Sequence, residues 1–231
     1  MSGKRMEGRV VVVTGASSGL GAAIAQAFAA EGAAVVGFAR RFAPAALGAP
    51  PAAGRVTEVQ LDVGDEAAIR ARFAELAQVD VLINNAGPVT YAPVIDADIA
   101  GLRAMLDVHV VGAFVCAQEA LRKMAPRRKG HIVNLSSIAA VRTFTGSAGY
   151  SAAKEAQRGM TRVLTEEARA HDVRVTGLYP GATDTPAWDG TSFDRAQMMR
   201  PEQVAGLILD VVARPEVSVE ELIVLPPRGV F

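Results

Sequence analysis

The strongest constraint on the fold of this chain is a short apolar strand that runs directly into a glycine-rich turn. Residues 10–13 are four valines, and the sequence TGASSGLG follows at residues 14–21, before an alanine-rich stretch of helical periodicity. Glycines let a backbone turn tightly and approach a pyrophosphate, while the amides at the start of a helix carry a partial positive charge. Glycines also mark ordinary tight turns. In this context, directly after the first strand, they predict a dinucleotide-binding site.

Short β-branched runs alternate with stretches of helical periodicity along the whole chain, which is typical of βαβ units joined into a parallel sheet. We therefore predict an α/β fold, a doubly wound Rossmann-type parallel sheet of about seven strands with helices on both faces. A chain of 231 residues fits one such domain spanning residues 1–231. The predicted strands are 9–14, 34–39, 56–62, 79–83, 131–136, 173–179 and 221–225. The predicted helices are 19–30, 66–77, 99–124 with or without a break, 150–170 and 201–213.

Two segments fit neither pattern. Residues 42–54 are rich in Ala, Pro and Gly and are predicted to be a simple connection. Residues 181–200 are long for a loop in a compact domain, so we predict a substrate lid there, with disorder as the alternative.

Charge and composition limit the classes of partner. The 24 basic residues balance the 24 acidic ones, so no net field favours nucleic acid or an anionic membrane, and the expected partners are a small molecule and further copies of the chain. The apolar run near the amino end is too short for a signal peptide or a membrane span, so we expect a cytoplasmic protein. The single cysteine, Cys116, is expected to be a buried small hydrophobe, with redox sensing as the alternative. No histidine has metal-ligand spacing, and no metal is expected.

Four motifs in the same order resemble those of the short-chain dehydrogenase/reductase family, along nearly the whole chain. The turn has the spacing T-G-x-x-x-G-x-G; Asn-Asn-Ala-Gly follows the fourth predicted strand at 84–87; Tyr150 and Lys154 form Y-x-x-x-K; and Pro-Gly at 180–181 is followed by Thr185. The resemblance implies an oxidoreductase that transfers a hydride between a nicotinamide cofactor and a ketone, an aldehyde or a secondary alcohol.

The resemblance also implies which positions hold the cofactor. It places Asp62 and Val63 at the adenine, and Asn84, Ala86 and Gly87 beside the adenosine ribose. Besides the two arginines discussed next, the expected cofactor-binding residues are Gly15, Ser17, Ser18, Gly19, Leu20, Gly21, Asp62, Val63, Asn85, Ala86, Gly87, Tyr150, Lys154, Pro180, Gly181, Thr183 and Thr185.

The end of the second predicted strand bears on the choice of cofactor. NAD-specific folds place an acidic residue there to accept a bond from the ribose hydroxyl, but this chain has Arg40 and Arg41. Guanidinium groups form bidentate, charge-assisted bonds with phosphate. NADP(H) is therefore predicted, with NAD(H) as the alternative. Arg40 is expected to lead the phosphate contact, helped by Arg41 and Ser17; the other interpretation is that both arginines are solvated surface charges.

Tyr150, Lys154 and Ser137 are the predicted catalytic residues. A spacing of four puts Tyr150 and Lys154 on one helix face. A tyrosine has a pKa of about 10, and a nearby ammonium together with the positive nicotinamide of the oxidised cofactor is expected to lower it, so that Tyr150 acts as acid and base. The family resemblance implies that Lys154 also holds the nicotinamide ribose. Ser137 follows the fifth predicted strand, and the resemblance implies that its hydroxyl polarises the substrate carbonyl.

His109 is a departure from the family pattern. The family has an asparagine in N-x-x-G, where it helps to position a water that relays protons to the lysine; here the stretch is His109-Val-Val-Gly112. Histidine titrates near neutrality and can donate and accept hydrogen bonds. His109 either supports the relay, leaves it damaged in a weak enzyme, or is a satisfied core histidine without a role.

Mostly apolar residues are expected around the substrate, namely Val89, Thr90, residues 139–144, Trp188 and Phe193, while Arg142 or Arg195 could reach a carboxylate.

The helices predicted at 99–124 and 150–170 resemble those that pair between subunits in family tetramers, so a homo-oligomer is expected, a tetramer before a dimer. The alternative function is a non-catalytic or weakly active NADP(H)-binding redox sensor.

Overall fold

The computed structural model describes residues 3–44, 47 and 51–229. All seven strands run parallel in a single sheet of order β3-β2-β1-β4-β5-β6-β7. The strands are β1 Val10–Thr14, β2 Ala34–Ala39, β3 Arg55–Gln60, β4 Val81–Asn84, β5 Gly130–Leu135, β6 Val173–Pro180 and β7 Glu221–Val224. The predicted Rossmann-type sheet of seven strands is confirmed.

The helices are α1 Gly19–Ala30, α2 Glu66–Ala74, α3 Ile99–Leu106, α4 Ala113–Met124, α5 Ala148–Arg169 and α6 Pro201–Val212. A π-helical segment, Asp107–Gly112, joins α3 to α4. Short 3-10 turns lie at Val94–Asp96, Ala125–Arg127, Ile138–Ala140, Pro186–Trp188 and Arg195–Gln197.

The sheet buries apolar side chains on both faces. Val11 and Val13 of β1 point into a core cluster shared with Phe28 of α1 and Ile208 of α6. Val12, between them, points the opposite way, into a second cluster formed with α2, α4 and the other strands. Side chains alternate along a strand, so a run of valines is expected where both faces are covered. The sheet is doubly wound, as predicted.

The strand order reverses between β1 and β4. The chain passes outward from β1 to β2 and β3, then returns to the other side of β1 to build β4 to β7. A crevice forms at the carboxyl ends of the strands on either side of such a reversal, and ligands of open α/β sheets bind there. The turns that follow β1, β4, β5 and β6 carry the motifs noted above.

The helix at 99–124 was predicted with or without a break. In the structure the π-helical segment interrupts it. Strand β5 ends at Leu135, one residue earlier than expected, so Ser136 already lies in the following turn. Of the predicted connection at 42–54, residues 45, 46 and 48–50 lie outside the described residues. The other element ends differ from expectation by at most three residues, mainly because helix and strand ends depend on hydrogen bonds that tertiary packing decides.

The predicted lid, residues 181–200, is folded against the domain. A parallel bridge joins Thr183 to Met199, and the segment contains two 3-10 turns. Met198 and Met199 are buried. The segment is thus anchored at both ends while its middle part reaches over the crevice.

One helical stretch, Ile99–Arg127, is long and apolar enough to cross a membrane, with a mean hydropathy of 1.6 in its most apolar window. A third of that window is buried in the fold. Cys116 and Ala120 lie fully buried in the core below α2 and the sheet. These contacts account for part of the apolar character of the stretch.

Candidate active site

A cavity of about 850 Å³ opens at the carboxyl ends of the strands. With the exception of Asn84, the residues predicted for catalysis and for cofactor binding line it: Gly15, Ser17, Ser18, Gly19, Leu20, Gly21, Arg40, Arg41, Asp62, Val63, Asn85, Ala86, Gly87, His109, Ser137, Tyr150, Lys154, Pro180, Gly181, Thr183 and Thr185.

Asn84 does not line the cavity, contrary to expectation. It is buried at the end of β4, where Nδ2 donates to Asn134 Oδ1 at 2.9 Å and to the Ala113 carbonyl at 3.0 Å. Successive residues of a strand point to opposite faces, so Asn84 faces the helix layer while Asn85 faces the crevice. Asn84 therefore links β4 to β5 and α4 instead of contacting a ligand.

Asn85 ties the glycine-rich turn to the end of β4. Its Nδ2 donates to the Thr14 carbonyl at 2.9 Å, and the Thr14 hydroxyl accepts from the amides of Asn85 and Ala86, both at 3.0 Å. Gly15 has a φ of +70°, and a Cβ there would lie 2.8 Å from Asn85 Nδ2. A Cβ at Gly21 would lie 2.2 Å from the Gly15 carbonyl oxygen. The turn can pack this closely only because both positions are glycine.

The first turn of α1 presents unpaired amides to the cavity. The first amides of a helix have no intrahelical acceptor, and the side chain of Ser18, the residue before α1, does not cap them. Phosphate groups bind at such helix starts because the amides and the helix dipole both favour negative charge. The turn and the helix start therefore fit the pyrophosphate of a dinucleotide.

Arg41 lies over this turn. Its guanidinium donates to Ser18 Oγ at 2.6 Å and to Ser17 Oγ at 3.3 Å. Neither Arg41 nor Arg40 has a carboxylate partner within the described part of the chain. Arg40 was expected to lead the contact with the phosphate, but it is Arg41 that reaches the serines of the turn. The pair forms a cationic end of the cavity.

Ser137 and Tyr150 lie close together on the β5 side of the point between β1 and β4 where the strand order reverses. Ser137 follows β5, and its Oγ accepts a bond from the Ala139 amide at 3.1 Å. Burial raises the pKa of Tyr150 above its ordinary value, while a hydrogen bond with Ser137 acts in the opposite direction. Desolvation of the phenol outweighs the neighbouring groups of the protein, whereas the predicted lowering of the pKa also involves the positive nicotinamide of the oxidised cofactor. Tyr150 is a protonated phenol at neutral pH.

Lys154 lies one helical turn beyond Tyr150 and is equally buried. Its Nζ donates to the Leu135 carbonyl at 2.8 Å and to Gln157 Oε1 at 3.3 Å, and lies 5.7 Å from the centre of the Tyr150 ring. Burial lowers the pKa of Lys154 to about 7. Gln157 was not singled out in the sequence; its spacing of three from Lys154 on one helix is the signal that could have found it.

His109 occupies the π-helical segment and is only 2% exposed. Its Nε2 lies 2.8 Å from the Pro88 carbonyl oxygen. A carbonyl only accepts hydrogen bonds, so Nε2 carries the proton and Nδ1 has a free lone pair. Nδ1 is buried and has no hydrogen-bond partner among the described residues.

The His109 ring is neutral at physiological pH. Burial, assisted by the charge of Lys154, lowers its pKa to about 3. This differs from the expectation of a histidine that titrates near neutrality. A Cβ at Gly87 would lie 1.8 Å from Cε1 of the ring, so that glycine makes room for the histidine. Gly112 likewise lets the π-helical segment pack closely against Val63, because a Cβ at Gly112 would lie 2.0 Å from the Val63 carbonyl oxygen.

The end of the cavity beyond Ser137 and Tyr150 is mostly apolar. Of the residues predicted there, Val89, Ala139, Phe144, Trp188 and Phe193 line it. Thr90 does not, and neither does the rest of the 139–144 segment. Tyr91, which the sequence analysis did not include, does line the cavity, and its ring centre lies 5.8 Å from that of Tyr150. Its position, two residues after the predicted pocket residue Val89, is the sequence signal that could have identified Tyr91.

Neither candidate arginine faces the substrate end. Arg142 does not line the cavity. The guanidinium of Arg195 is bound to Asp184 at 2.5 Å and to Asp189 at 2.7 Å. Within the described residues, no group of three or more potential metal ligands occurs.

Known proteins resemble this chain over its length. The profile of the family described as short chain dehydrogenase matches residues 9–195. Cis-4-hydroxycyclohexanecarboxylate dehydrogenase of Sinomonas cyclohexanicum is 36% identical over 227 residues, which cover 95% of this chain and 90% of that protein. Farnesol dehydrogenase of Aedes aegypti is 35% identical, with coverage of 96% and 97%.

A solved structure described as a short chain dehydrogenase/reductase family protein superposes on this fold with a TM-score of 0.84. It is 31% identical in sequence and the match covers 96% of this chain and 97% of that one.

Proposed function

The chain belongs to the short-chain dehydrogenase family, an oxidoreductase family that uses a nicotinamide cofactor on alcohol and carbonyl groups, and we propose that it is an NADP(H)-dependent enzyme interconverting a ketone or aldehyde with the corresponding alcohol. The observation that carries the proposal is the convergence of Ser137, Tyr150 and Lys154 on one cavity that also receives the open first turn of α1.

The cofactor has a complete set of contacts available. The amides of the Gly15–Gly21 turn and the start of α1 would hold the pyrophosphate, and Asp62 and Val63 border the cavity where the adenine would lie. Lys154 would hold the nicotinamide ribose. When bound, the nicotinamide supplies or accepts the hydride.

Support for NADP(H) over NAD(H) comes from Arg41. Its guanidinium contacts Ser17 and Ser18 beside the turn, and no carboxylate stands at the end of β2. A 2′-phosphate in this position would receive charge-assisted bonds from Arg41 and, with a smaller share, from Arg40. A hydroxyl in the same position would leave both charges without an anionic partner.

Tyr150 and Ser137 are placed to handle the substrate oxygen. The Ser137 hydroxyl would donate a hydrogen bond to the carbonyl oxygen and stabilise the negative charge that develops on it. Tyr150 would donate the proton that completes the alcohol. Its raised pKa keeps the phenol protonated, which suits its action as an acid in the reduction.

Lys154, together with a water held by His109, would return a proton to Tyr150. The pKa of Lys154 near 7 allows its amine to exchange protons close to physiological pH. His109 offers a buried acceptor, Nδ1, on a ring whose centre lies 5.8 Å from that of Tyr150. A water bound there would connect the active site to the π-helical segment, and the histidine would do the work of the family's asparagine in neutral form.

A homo-oligomer formed through α4 and α5 belongs to the same proposal. Phe114 of α4 and Val163 of α5 are more than half exposed, and apolar side chains of this size are favourable to bury between subunits. The test is the mass of the purified protein by size-exclusion chromatography with light scattering; a monomer at micromolar concentration would contradict this part.

The proposed function is tested by following NADPH absorbance with a panel of ketones and aldehydes, and by titrating NADPH and NADH separately. Turnover with a preference for NADPH is expected. Tight NADPH binding without turnover of any carbonyl would favour the alternative, a cofactor-binding redox sensor.

A further inference from the structure

We propose that the substrate is an uncharged alcohol or ketone on an apolar ring or chain, and that the site selects against substrates that carry a carboxylate. This inference rests on the proposed function. It is drawn from the composition and the charges of the cavity end beyond Ser137 and Tyr150, which the four aromatic residues Tyr91, Phe144, Trp188 and Phe193 line. We call this part the aromatic end.

The outer wall of the aromatic end is made by Trp188 and Phe193 of the lid. Their rings meet nearly edge to face, with centres 5.1 Å apart. The only polar group of the indole is already used, because Trp188 Nε1 donates to the Thr183 carbonyl at 3.0 Å. The wall therefore presents apolar ring surface to the cavity.

The inner wall continues this surface down to the catalytic residues. Tyr91 packs its ring against that of Tyr150 in an edge arrangement. Phe144 and Val89 pack against a small buried cluster that includes Ala139 and Tyr150. A carbon skeleton attached to a carbonyl carbon at Tyr150 would therefore be surrounded by aromatic and aliphatic side chains.

Among the described residues, no cationic side chain lines the aromatic end. Arg41 is at the other end of the cavity, since β2 and β5 are separated by three strand spacings, about 14 Å. Lys154 is bound to the Leu135 carbonyl and to Gln157 below the catalytic residues. Arg195, the nearest candidate on the lid, is held by two aspartates.

A substrate carboxylate placed against these side chains would thus lose part of its hydration without gaining a charged partner. Burying an unpaired charge is far more costly than burying an apolar group of the same size. If Arg195 instead turned inward to meet the carboxylate, it would have to give up its exposed ion pairs with Asp184 and Asp189. An ester or an alkyl group at the same position meets neither cost.

The test compares two ketones that differ by a single charge, 4-oxocyclohexanecarboxylate and its methyl ester. Turnover of each is measured at pH 7 with NADPH and with NADH. Binding is measured separately by the emission of Trp188, the only tryptophan of the chain, in saturating NADP⁺, where a ketone cannot be reduced. We expect kcat/KM for the ester to exceed that of the acid by at least about 100-fold, and the same order in binding.

Two variants sharpen the comparison. Phe193→Arg places a cation at the rim of the aromatic end and is expected to narrow the preference for the ester by at least about 10-fold; Phe193→Gln, its uncharged control, is expected to leave the acid as poor a substrate as before. If Phe193→Arg does not fold, Thr191→Arg supplies the cation from a neighbouring exposed position that also lines the cavity.

The outcomes separate the two levels of the proposal. Equal or better use of the acid by the natural protein would overturn the inference while leaving the oxidoreductase intact, and loss of that use in Arg195→Gln would identify the arginine as the binding group. Absence of turnover for every carbonyl contradicts the proposed function instead. The binding measurement then still decides the inference, because tighter binding of the acid than of the ester would overturn it.

Discussion

The ring of His109 stands nearly perpendicular to that of Tyr150, with the two ring centres 5.8 Å apart. The histidine is held in this place by its bond to the Pro88 carbonyl and by the space that Gly87 leaves. Its Nδ1 is consequently a buried hydrogen-bond acceptor in the neighbourhood of Tyr150. Because the ring is neutral, the acceptor persists across the physiological pH range.

His109→Asn is therefore expected to retain turnover within about 3-fold, because the amide of asparagine also supplies an acceptor. In His109→Leu the new side chain is of comparable size but apolar, and it has no acceptor. The kcat of this variant is expected to fall by at least about 10-fold. Steady-state kinetics of both variants, with NADPH affinity as the control for folding, provide the measurement. If the leucine variant is as active as the asparagine variant, His109 has only a packing role.

Arg41→Ala is expected to raise the Kd for NADPH by about 10- to 100-fold, because hydrogen bonds between charged groups contribute about 1.5–3 kcal/mol. The Kd for NADH should change little. Arg40→Ala is the matched control and should have the smaller effect, since only Arg41 contacts the serines of the turn. Isothermal titration with both nucleotides measures this, and an equal loss of NADPH and NADH binding would refute the phosphate contact.

Lys154→Met is expected to change how stability depends on pH. The pKa of Lys154 is about 7 in the folded protein, below the 10.5 of a free lysine. Between these values the unfolded chain binds a proton that the folded protein does not, so this group makes the free energy of unfolding rise with pH. The methionine variant lacks that contribution.

Urea denaturation at pH 7, 8, 9 and 10 tests this sign. Relative to Lys154→Met, the natural protein should gain up to about 1.4 kcal/mol for each pH unit over this window. Other titrating groups, such as the buried Cys116 with its pKa raised to about 12, are common to both proteins and cancel in the difference. A constant difference from pH 7 to pH 10 would mean that the ammonium is not destabilised by burial.

Much of this architecture could be predicted from the sequence because its signals are local. The valine run, the glycine-rich turn and the helix start follow one another in the chain, and the alternation of strand and helix patterns indicates a parallel sheet. Tyr150 and Lys154 belong to one helix, so their relation is also local. Ser137 could be placed because it directly follows a strand.

Features that depend on tertiary packing were not accessible in this way. The sequence could not rank Arg40 against Arg41, because neighbouring residues at a strand end point in different directions. Tyr91 comes from an irregular segment held by long-range contacts, such as the bond from the Ala92 amide to the Gly146 carbonyl. The direction of the Tyr150 pKa shift follows from the depth of its burial, which residue spacing does not reveal.

The central claim is that the phenol of Tyr150 transfers a proton to the substrate oxygen in this cavity. Tyr150→Phe removes only that hydroxyl, so NADPH affinity should stay within about 3-fold while kcat for reduction of a ketone falls by about 10²–10⁴-fold, the usual contribution of a general acid. The measurement is the single-turnover rate of NADPH oxidation by the natural protein and by the variant with the same ketone. A rate in Tyr150→Phe equal to that of the natural protein would contradict the account.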